Sequence, residues 1–284
     1  MRRYLPRDVL SEIIVIENPS LGNTTGWFKS LRSEYGELSD LVHVVEAASI
    51  AQIPMTTGGW FSQQILKLMV SKVITSDRYV VLDAKNHLVF PLARDFLETG
   101  DRIRSANRNY RDHTLLGAFE KAARYFEMDW KEHAQAFVPT LTPFAFPTKA
   151  VRNLIDYVIE REQKPFPAAF MDLGLAEFLM FGWFICARYG RIGEIYDLSR
   201  DDCPVVWKGT AAAGARAVER LIVDAEAKAN PFFAVHHWAF AVLDQAARES
   251  IAAFWHRRRL FPTVANGMTF LDDQASTNPI AADP

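Results

Sequence analysis

Residues 79–90 read YVVLDAKNHLVF, and this stretch decides the fold prediction. Its apolar start is typical of a central β-strand that is covered on both faces. Polar side chains follow at once, at Asp83, Lys85, Asn86 and His87. At the carboxyl end of a strand in an open α/β sheet, such side chains lie where ligands bind. The alternative is that Asp83 only starts a turn by accepting hydrogen bonds from backbone amides.

The composition sets limits on the class of protein. The 284 residues are 49% hydrophobic, which is ample for a sizeable core, and 32 basic against 34 acidic residues give a net charge of −2. Nothing in this balance favours nucleic acid as a partner. The two cysteines, Cys186 and Cys203, have no CxxC spacing, which excludes a disulfide framework and a thiolate zinc site. We therefore expect a cytoplasmic protein.

Export and membrane insertion are not expected. The N-terminal segment has basic residues but lacks an apolar region of signal-peptide length. The most apolar later stretch, residues 173–187, contains Glu177 and is shorter than the ~20 residues that cross a bilayer. It is interpreted as a buried helix, so no transmembrane segment is predicted.

The first third of the chain alternates strands with helices. The patterns predict strands at 13–16, 41–45 and 79–82, a helix at 25–35, and a helix that opens at Gly58 and Gly59. Such alternation implies crossover connections. We therefore predict an α/β fold with a mostly parallel sheet flanked by helices.

The later part of the chain is less regular. Residues 1–261 are predicted to form a single domain, and residues 262–284 a flexible tail without periodicity. Within the domain, helices are predicted at 107–126, 150–162, 173–189 and 244–258, and strand-like pieces at 137–146, 192–198 and 231–235.

Several ordered motifs together resemble a known family. They are GGWFSQQILKLMVSKVITSDRYVVLDAKNHLVF at 58–90, TPFAF at 142–146, AEFLMFGWF at 176–184, FFAVHHWAF at 232–240 and IAAFWHRRRLF at 251–261. In their order and spacing they resemble DUF6492-type bacterial proteins, which look like glycosyltransferases of the GT-A fold. The resemblance covers about residues 1–261. It implies a nucleotide-sugar donor and a glycan or other hydroxyl acceptor.

The resemblance implies a donor site around Asp83. Many GT-A enzymes end a central strand in Asp-x-Asp, where one carboxylate contacts ribose or metal-bound water and the other binds the metal ion that neutralises the diphosphate. Asp83 has the first position, but Lys85 has the third, which leaves dependence on Mn²⁺ or Mg²⁺ open. A protonated Lys85 cannot bind a cation, although it can neutralise phosphate itself. Alternatively, Lys85 lies in solvent. Asn86 completes this part of the donor site.

The preceding helix is implied to border the donor. It offers Gly59, Gln64 and Lys67, of which Lys67 can reach a phosphate and Gly59 allows close approach of backbone to ligand. The alternatives are ordinary. Gln and Lys side chains commonly line the solvent face of an amphipathic helix, and a Gly-Gly pair can simply begin one.

Two later carboxylates are the catalytic candidates, Asp172 and Glu177. An acid among large apolar residues is costly to bury unless it is paired or used. An inverting transferase needs a base that deprotonates the acceptor hydroxyl. Glu177 is our candidate for this base or for acceptor binding. The alternative is an ion pair of Glu177 with Arg188 or Arg191.

Histidines and basic residues complete the candidates. In several GT-A enzymes a late histidine contacts the metal and diphosphate, so His236 or His237 joins Asp83 as a candidate metal ligand; the alternative is an ordinary hydrogen-bonded histidine. His43, on a strand, is predicted to lie in the core. The basic run at 256–261 offers peripheral contact with anionic lipid, or else is a solvated helix end.

Other chemistries lack their local motifs. The sequence has no GxxxxGK[ST], GxSxG, HExxH or well-spaced GxGxxG. The segment after Met1 resembles the end of the first helix of a GT-A fold, so we expect either that the true start codon lies upstream or that the protein lacks the first strand and with it part of the donor site. A missing first strand and Lys85 together motivate a second hypothesis, a non-catalytic protein that binds carbohydrate or a partner on the same scaffold.

Overall fold

The structure is a computed structural model that describes residues 3–17, 31–54 and 58–277. Within these ranges the protein has a mixed α/β fold. The strands are β1 (Ile13–Glu17), β2 (Val42–Glu46), β3 (Arg78–Val81), β4 (Asn86–Leu88), β5 (Glu98–Thr99), β6 (Arg102–Ala106), β7 (Phe144–Pro147), β8 (Tyr196–Arg200), β9 (Val205–Val206) and β10 (Phe232–Val235).

Helices surround and connect these strands. The α-helices are α1 (Ala47–Ile50), α2 (Gly59–Met69), α3 (Leu116–Tyr125), α4 (Trp130–His133), α5 (Thr148–Glu162), α6 (Phe166–Leu173), α7 (Glu177–Tyr189), α8 (Lys208–Ala212), α9 (Ala215–Ala227), α10 (His237–Phe240), α11 (Gln245–Arg257) and α12 (Val264–Thr277). Short 3₁₀-helices lie at Arg7–Val9, Val70–Lys72, Arg94–Phe96 and Ile192–Glu194, and a longer one at Leu31–Leu41.

The strands form small sheets of mixed direction rather than the mostly parallel sheet that the sequence predicted. The pairs β1–β2, β6–β8 and β9–β10 are parallel. The pairs β3–β7, β4–β10 and β5–β6 are antiparallel. The alternation of strand and helix holds for β1 and β2. Strand β7, however, pairs with β3 although more than 60 residues separate them in the sequence, and the pair is antiparallel. The α/β class is confirmed, and the parallel arrangement is not.

Strand β3 exists as predicted but is not covered on both faces. Tyr79 and Val81 are buried, whereas Val80 between them is 37% exposed. Successive side chains of a strand point to opposite faces, so one face of β3 packs on the core and the other meets solvent. The apolar run therefore predicted the strand correctly, but the prediction that both faces of the strand are buried is wrong.

Some predicted helices differ from the observed ones. The helix predicted at 107–126 begins only at Leu116, because Arg108 exchanges backbone hydrogen bonds with Phe137 instead. The helix predicted at 173–189 is observed as α7, which begins at Glu177, whereas Leu173 is the last residue of the preceding helix α6. The two helices separate at Gly174, whose φ of +55° ends α6 in the left-handed conformation that glycine adopts without strain. Residues 25–30 of the predicted helix at 25–35 lie outside the described residues.

The main core surrounds α7. Its residues from Glu177 to Cys186 are all buried, and Phe178 and Phe181 contact the β7 ring of Phe146. This explains why the stretch is apolar on every side: a helix that is surrounded by protein has no solvent face. In the described part of the chain, no single helix is long and apolar enough to cross a membrane.

The predicted flexible tail is wrong for residues 264–277, which form α12. Leu271 is fully buried, and Phe270 packs against Trp255 of α11. Gly267 lies so close to α11 that an added Cβ would come within 3.1 Å of the Ala252 Cβ. Small residues, Gly267 on α12 and Ala252 on α11, form part of the contact between the two helices. The segment therefore lacks a clear helical repeat of large apolar residues, and the sequence pattern did not predict the helix.

Candidate functional site

The end of β3 is a tightly bonded turn. Asp83 accepts the Asn86 backbone N–H through its carbonyl at 2.9 Å, and its own N–H donates to Asn86 Oδ1 at 3.0 Å. Asn86 Nδ2 donates to the Thr142 carbonyl at 3.1 Å, and the Thr142 hydroxyl lies 3.0 Å from Asp83 Oδ2. The segment before β7 therefore fixes the direction in which the Asp83 carboxylate points. The Asp83 backbone forms the turn, and its side chain in addition accepts from Thr142, so Asp83 does more than start a turn.

Lys67 reaches this carboxylate from α2. Its Nζ lies 2.8 Å from Asp83 Oδ1 and 3.1 Å from Glu177 Oε1, and 5.1 Å from the centre of the Phe178 ring. The side chain is only 13% exposed. The alternative that Lys67 lines the solvent face of its helix is therefore wrong, since α2 turns this residue inward; its contact with a donor phosphate stays a prediction.

Lys85 completes what we call the charged cluster, which consists of Lys67, Asp83, Lys85 and Glu177. The Lys85 ammonium pairs with Asp83 Oδ2, opposite the oxygen that Lys67 contacts. Two ammonium groups thus converge on one carboxylate. Lys85 is 16% exposed, so the alternative that it lies in solvent is also wrong.

Glu177 is the first residue of α7 and is 5% exposed. Its backbone N–H donates to Gln64 Oε1 at 3.1 Å, so the α2 side chain that was predicted to touch the donor instead holds the start of α7. A carboxylate at a helix N-terminus is favoured by the helix dipole. The ion pair of Glu177 is with Lys67, and not with Arg188 or Arg191. Arg191 pairs with Glu194.

The cluster shifts the pKa values of its acids in opposite directions. Burial raises the pKa of Glu177, and the nearby Lys67 charge offsets this only in part. Burial would also raise the pKa of Asp83, but Lys67 and Lys85 together hold it at about 2. For Lys67, burial lowers the pKa, while Glu177 and Asp83 outweigh that effect and raise it. Asp83 is thus the permanent anion of the cluster and Glu177 the acid that more readily takes a proton.

Histidine and tryptophan rings lie beside the cluster. The His236 ring centre is 4.8 Å from that of Trp207 and 4.3 Å from that of His237, which in turn is 5.0 Å from Trp238. Burial, together with the charges of His237 and Lys85, lowers the pKa of His236 to about 4. Both histidines therefore lie within electrostatic range of Lys85.

These residues do not make a metal centre. Among the described residues, no group of three or more His, Cys, Asp or Glu side chains is arranged to hold a metal ion. Asp83, the first candidate ligand, already has an ammonium group on each oxygen. The groups present therefore fit a site in which lysine, rather than Mn²⁺ or Mg²⁺, supplies positive charge.

The remaining candidates lie elsewhere. Asp172 is exposed and pairs with Lys164 at 2.6 Å, and Gly59 lies exposed at the start of α2. His43 is exposed rather than in the core, because its place on β2 alternates with that of buried Val42. His87 is half-buried and packs against Trp255, and its removal from solvent lowers its pKa to about 4.

The basic run at 256–261 is mostly a paired helix end. Arg257 and Arg258 both contact Glu226, at 3.2 and 2.8 Å, and the Arg258 guanidinium lies 4.0 Å from the centre of the Phe90 ring. These contacts agree with the alternative of a helix end rather than a lipid-binding patch.

Sequence reasoning missed Thr142, Trp207 and Trp238 as site residues. Thr142 belongs to the TPFAF motif, which was noticed only as part of a resemblance. In the sequence, Trp207 directly follows the apolar pair Val205 and Val206, and Trp238 directly follows the histidine pair, and these positions were the signal available.

The stability of the protein is expected to depend on pH through Asp83. Because the pKa of folded Asp83 is about 2 and its ordinary value is 3.8, the ionised carboxylate stabilises the fold above pH ~4 and loses this contribution as the pH falls toward 2. The contribution is about 2 kcal/mol at neutral pH, of which roughly half is lost at pH 3. Urea unfolding of the wild type and Asp83→Asn at pH 7, 5, 4 and 3 measures it. Stability curves that stay parallel across this range would contradict the assignment.

Fold and cluster together define an α/β protein with a lysine-bridged carboxylate site at the end of a strand. The model of the family DUF6492, described as a family of unknown function, matches residues 4–254. The chain belongs to this family, and its predicted membership is confirmed. No curated protein and no solved structure matches the chain.

Proposed function

We propose that this protein is a glycosyltransferase that moves a sugar from a nucleotide-sugar donor to a hydroxyl group of a glycan or other acceptor. The observation that carries the proposal is the charged cluster, in which Lys67 and Lys85 both pair with Asp83 at the end of β3 and Lys67 also pairs with the buried Glu177. The resemblance of the chain to GT-A glycosyltransferases supports the same function, and a GT-A-like origin of the fold is part of the proposal.

The two ammonium groups suit the diphosphate of a donor. Negative charge grows on the diphosphate as its bond to the sugar breaks, and prearranged positive groups stabilise that charge. Lys67 and Lys85 are both largely buried, so their attraction for a phosphate is weakened little by solvent. Before the donor binds, Asp83 keeps both ammonium groups directed at one point. With the donor in place, its carboxylate can accept a ribose hydroxyl.

Glu177 suits the role of base. In the inverting form of the reaction, the acceptor oxygen attacks the anomeric carbon, the bond to the diphosphate breaks, and the proton of the acceptor hydroxyl passes to a base. A raised pKa improves a carboxylate as a proton acceptor near neutral pH, and burial raises the pKa of Glu177. Asp172, exposed and paired with Lys164, has no place in this scheme.

A second candidate function rests on the same cluster. Each carboxylate in it already has a lysine partner, and Lys85 stands where metal-dependent relatives of the GT-A fold carry an acid. A cluster in which every carboxylate already has a lysine partner also suits a non-catalytic protein that binds carbohydrate. The two functions differ in one respect: only the enzyme releases free nucleotide from its donor.

The test is calorimetry of the full chain with UDP-, GDP- and CMP-sugars, with Mn²⁺ or with EDTA. We expect one nucleotide class to bind with little effect of EDTA, and Lys85→Ala to weaken that binding at least tenfold, because an ammonium group rather than a metal ion faces the phosphates. Free nucleotide is then measured over time with an acceptor panel. Binding of none of the donors would contradict both the enzyme and its lysine-based site. Binding without nucleotide release would favour the second candidate.

A further inference from the structure

Strand register places the aromatic rings and the charged cluster at one sheet edge. β9 and β10 are parallel neighbours, with Val206 paired to Val235, so Trp207 and His236 are the first residues beyond two adjacent carboxyl ends. β4 runs antiparallel to β10, with Asn86 opposite Ala234. The residue before β4 is Lys85, which therefore lies at the same edge. The rings of Trp207, His236, His237 and Trp238, which we call the aromatic platform, thus adjoin the charged cluster.

The platform is accessible and uncharged. Trp238 is 59% exposed and Trp207 is 39% exposed, although large aromatic rings are usually buried. Burial lowers the pKa of both His236 and His237, which favours the neutral form of both rings at pH 7. Neutral imidazoles keep one N–H donor and one acceptor nitrogen. The platform therefore offers flat apolar faces with polar groups at their edges.

A polar cleft continues from the platform. Trp207 also lines this cleft, which has a volume of about 490 Å³. Its charged lining consists of Arg108, Asp201, Asp202, Asp224 and Lys228. Three carboxylates against two basic groups disfavour a phosphate or an acidic sugar. The carboxylates are 44 to 63% exposed, so they retain oxygens that can accept hydroxyl hydrogen bonds.

We propose that the aromatic platform and this cleft bind a neutral glycan, which the proposed function would use as its acceptor. A pyranose ring has an apolar face of C–H groups and a rim of hydroxyls. The C–H face packs on exposed indole and imidazole rings, while the hydroxyls meet the histidine nitrogens and the cleft carboxylates. The chain of sugars runs from the cleft over Trp207 toward the charged cluster, which places its end beside Lys85 and Asp83.

Other ligands fit these surfaces less well. A nucleobase would also stack on tryptophan, but the phosphates attached to it would meet the acidic side of the cleft. Anionic lipid would require basic residues around the rings, and the cleft beside Trp207 has an excess of acids. Both remain outcomes that the experiment separates.

The experiment uses Trp207→Ala, Trp238→Ala and a matched control, Tyr189→Ala. Tyr189 is an exposed aromatic residue, 44% accessible, at the other end of α7 from Glu177. The probes are neutral trisaccharides of glucose, mannose, galactose and N-acetylglucosamine, with trigalacturonate as an acidic comparison. Calorimetry and tryptophan fluorescence measure binding to the full chain, and the nucleotide-sugars of the previous section are titrated in parallel.

We expect at least one neutral trisaccharide to bind and each tryptophan variant to weaken it tenfold or more. Tyr189→Ala should bind as the wild type, and nucleotide affinity should stay within about twofold in all three variants. Absence of trisaccharide binding overturns the inference. Binding to phosphatidylserine vesicles is measured as well. If the tryptophan variants lose affinity for the nucleotide or for these vesicles, the platform binds a nucleobase or a lipid instead, and the inference is likewise overturned. Trisaccharide binding without any nucleotide binding would support the platform and refute the proposed transferase.

Discussion

Asp83→Asn is expected to reduce turnover by about 100-fold or more, on the scale of losing one well-placed electrostatic contact in an active site. The change is nearly isosteric, and the single amide oxygen of Asn can still accept a hydrogen bond from Lys67, while its amide nitrogen faces the Thr142 hydroxyl and can only donate to it. It cannot supply the negative charge that holds Lys67 and Lys85 together. A donor whose ribose and diphosphate are less well positioned then reacts slowly even when it is bound.

In the same variant, Asp83→Asn, the affinity for the nucleotide diphosphate should rise or stay constant, although turnover falls. Removing a negative charge beside two ammonium groups makes the site more attractive to phosphate. The expected result is therefore a loss in turnover without a loss in the affinity for UDP or GDP. Measurement of both quantities on one preparation distinguishes this from a general disruption of the site, which would weaken both.

The matched control is Asp172→Asn, the same chemical change at an exposed carboxylate that pairs with Lys164. It should leave turnover unaltered. Unchanged turnover in Asp83→Asn would remove the end of β3 from the mechanism. Lost turnover in Asp172→Asn would return that residue to the catalytic candidates, contrary to its position in the structure.

The spacing of apolar residues predicted many of the helices and strands, because this spacing shows which side chains of a short segment are buried together. Helix α2 and strands β1, β2 and β10 follow directly from apolar spacing in the sequence. Strand pairing does not follow, because the partner of a strand depends on contacts between distant residues. The antiparallel pairing of β3 with β7 is of this kind.

The charged cluster was predictable in part. Asp83 was recognisable at the end of an apolar run, and Glu177 as an acid amid large apolar residues. Their meeting through Lys67, which lies 110 residues from Glu177, has no local signal. Only the resemblance to a known fold placed these residues in one site. It could not show that Gln64 holds the backbone of Glu177 instead of facing a ligand.

Lys67→Met is expected to have the largest effect on stability. Lys67 bridges two carboxylates, and Glu177 is 5% exposed. Removing one partner of a buried ion pair leaves an uncompensated charge and costs about 3 kcal/mol. Methionine retains most of the lysine chain, so the packing on Phe178 changes little. Urea unfolding at pH 7 measures the loss, and Lys164→Met, the same change at the exposed pair with Asp172, should cost less than about 1 kcal/mol.

The double variant Lys67→Met, Glu177→Gln separates this charge effect from lost packing. Glutamine has the shape of glutamate without its charge, so most of the stability should return, whereas turnover should not.

The pH dependence of stability gives a second check on the charge effect. Burial already raises the pKa of Glu177, and loss of the Lys67 charge raises it further, so folded Lys67→Met binds a proton that the unfolded chain releases. Its stability should therefore fall as the pH rises through the raised pKa of Glu177, and the deficit relative to the wild type should be smaller at pH 5 than at pH 8. With Glu177→Gln added, that dependence should vanish. A deficit that glutamine leaves uncorrected, and that is the same at both pH values, would mean that Lys67 contributes packing rather than charge.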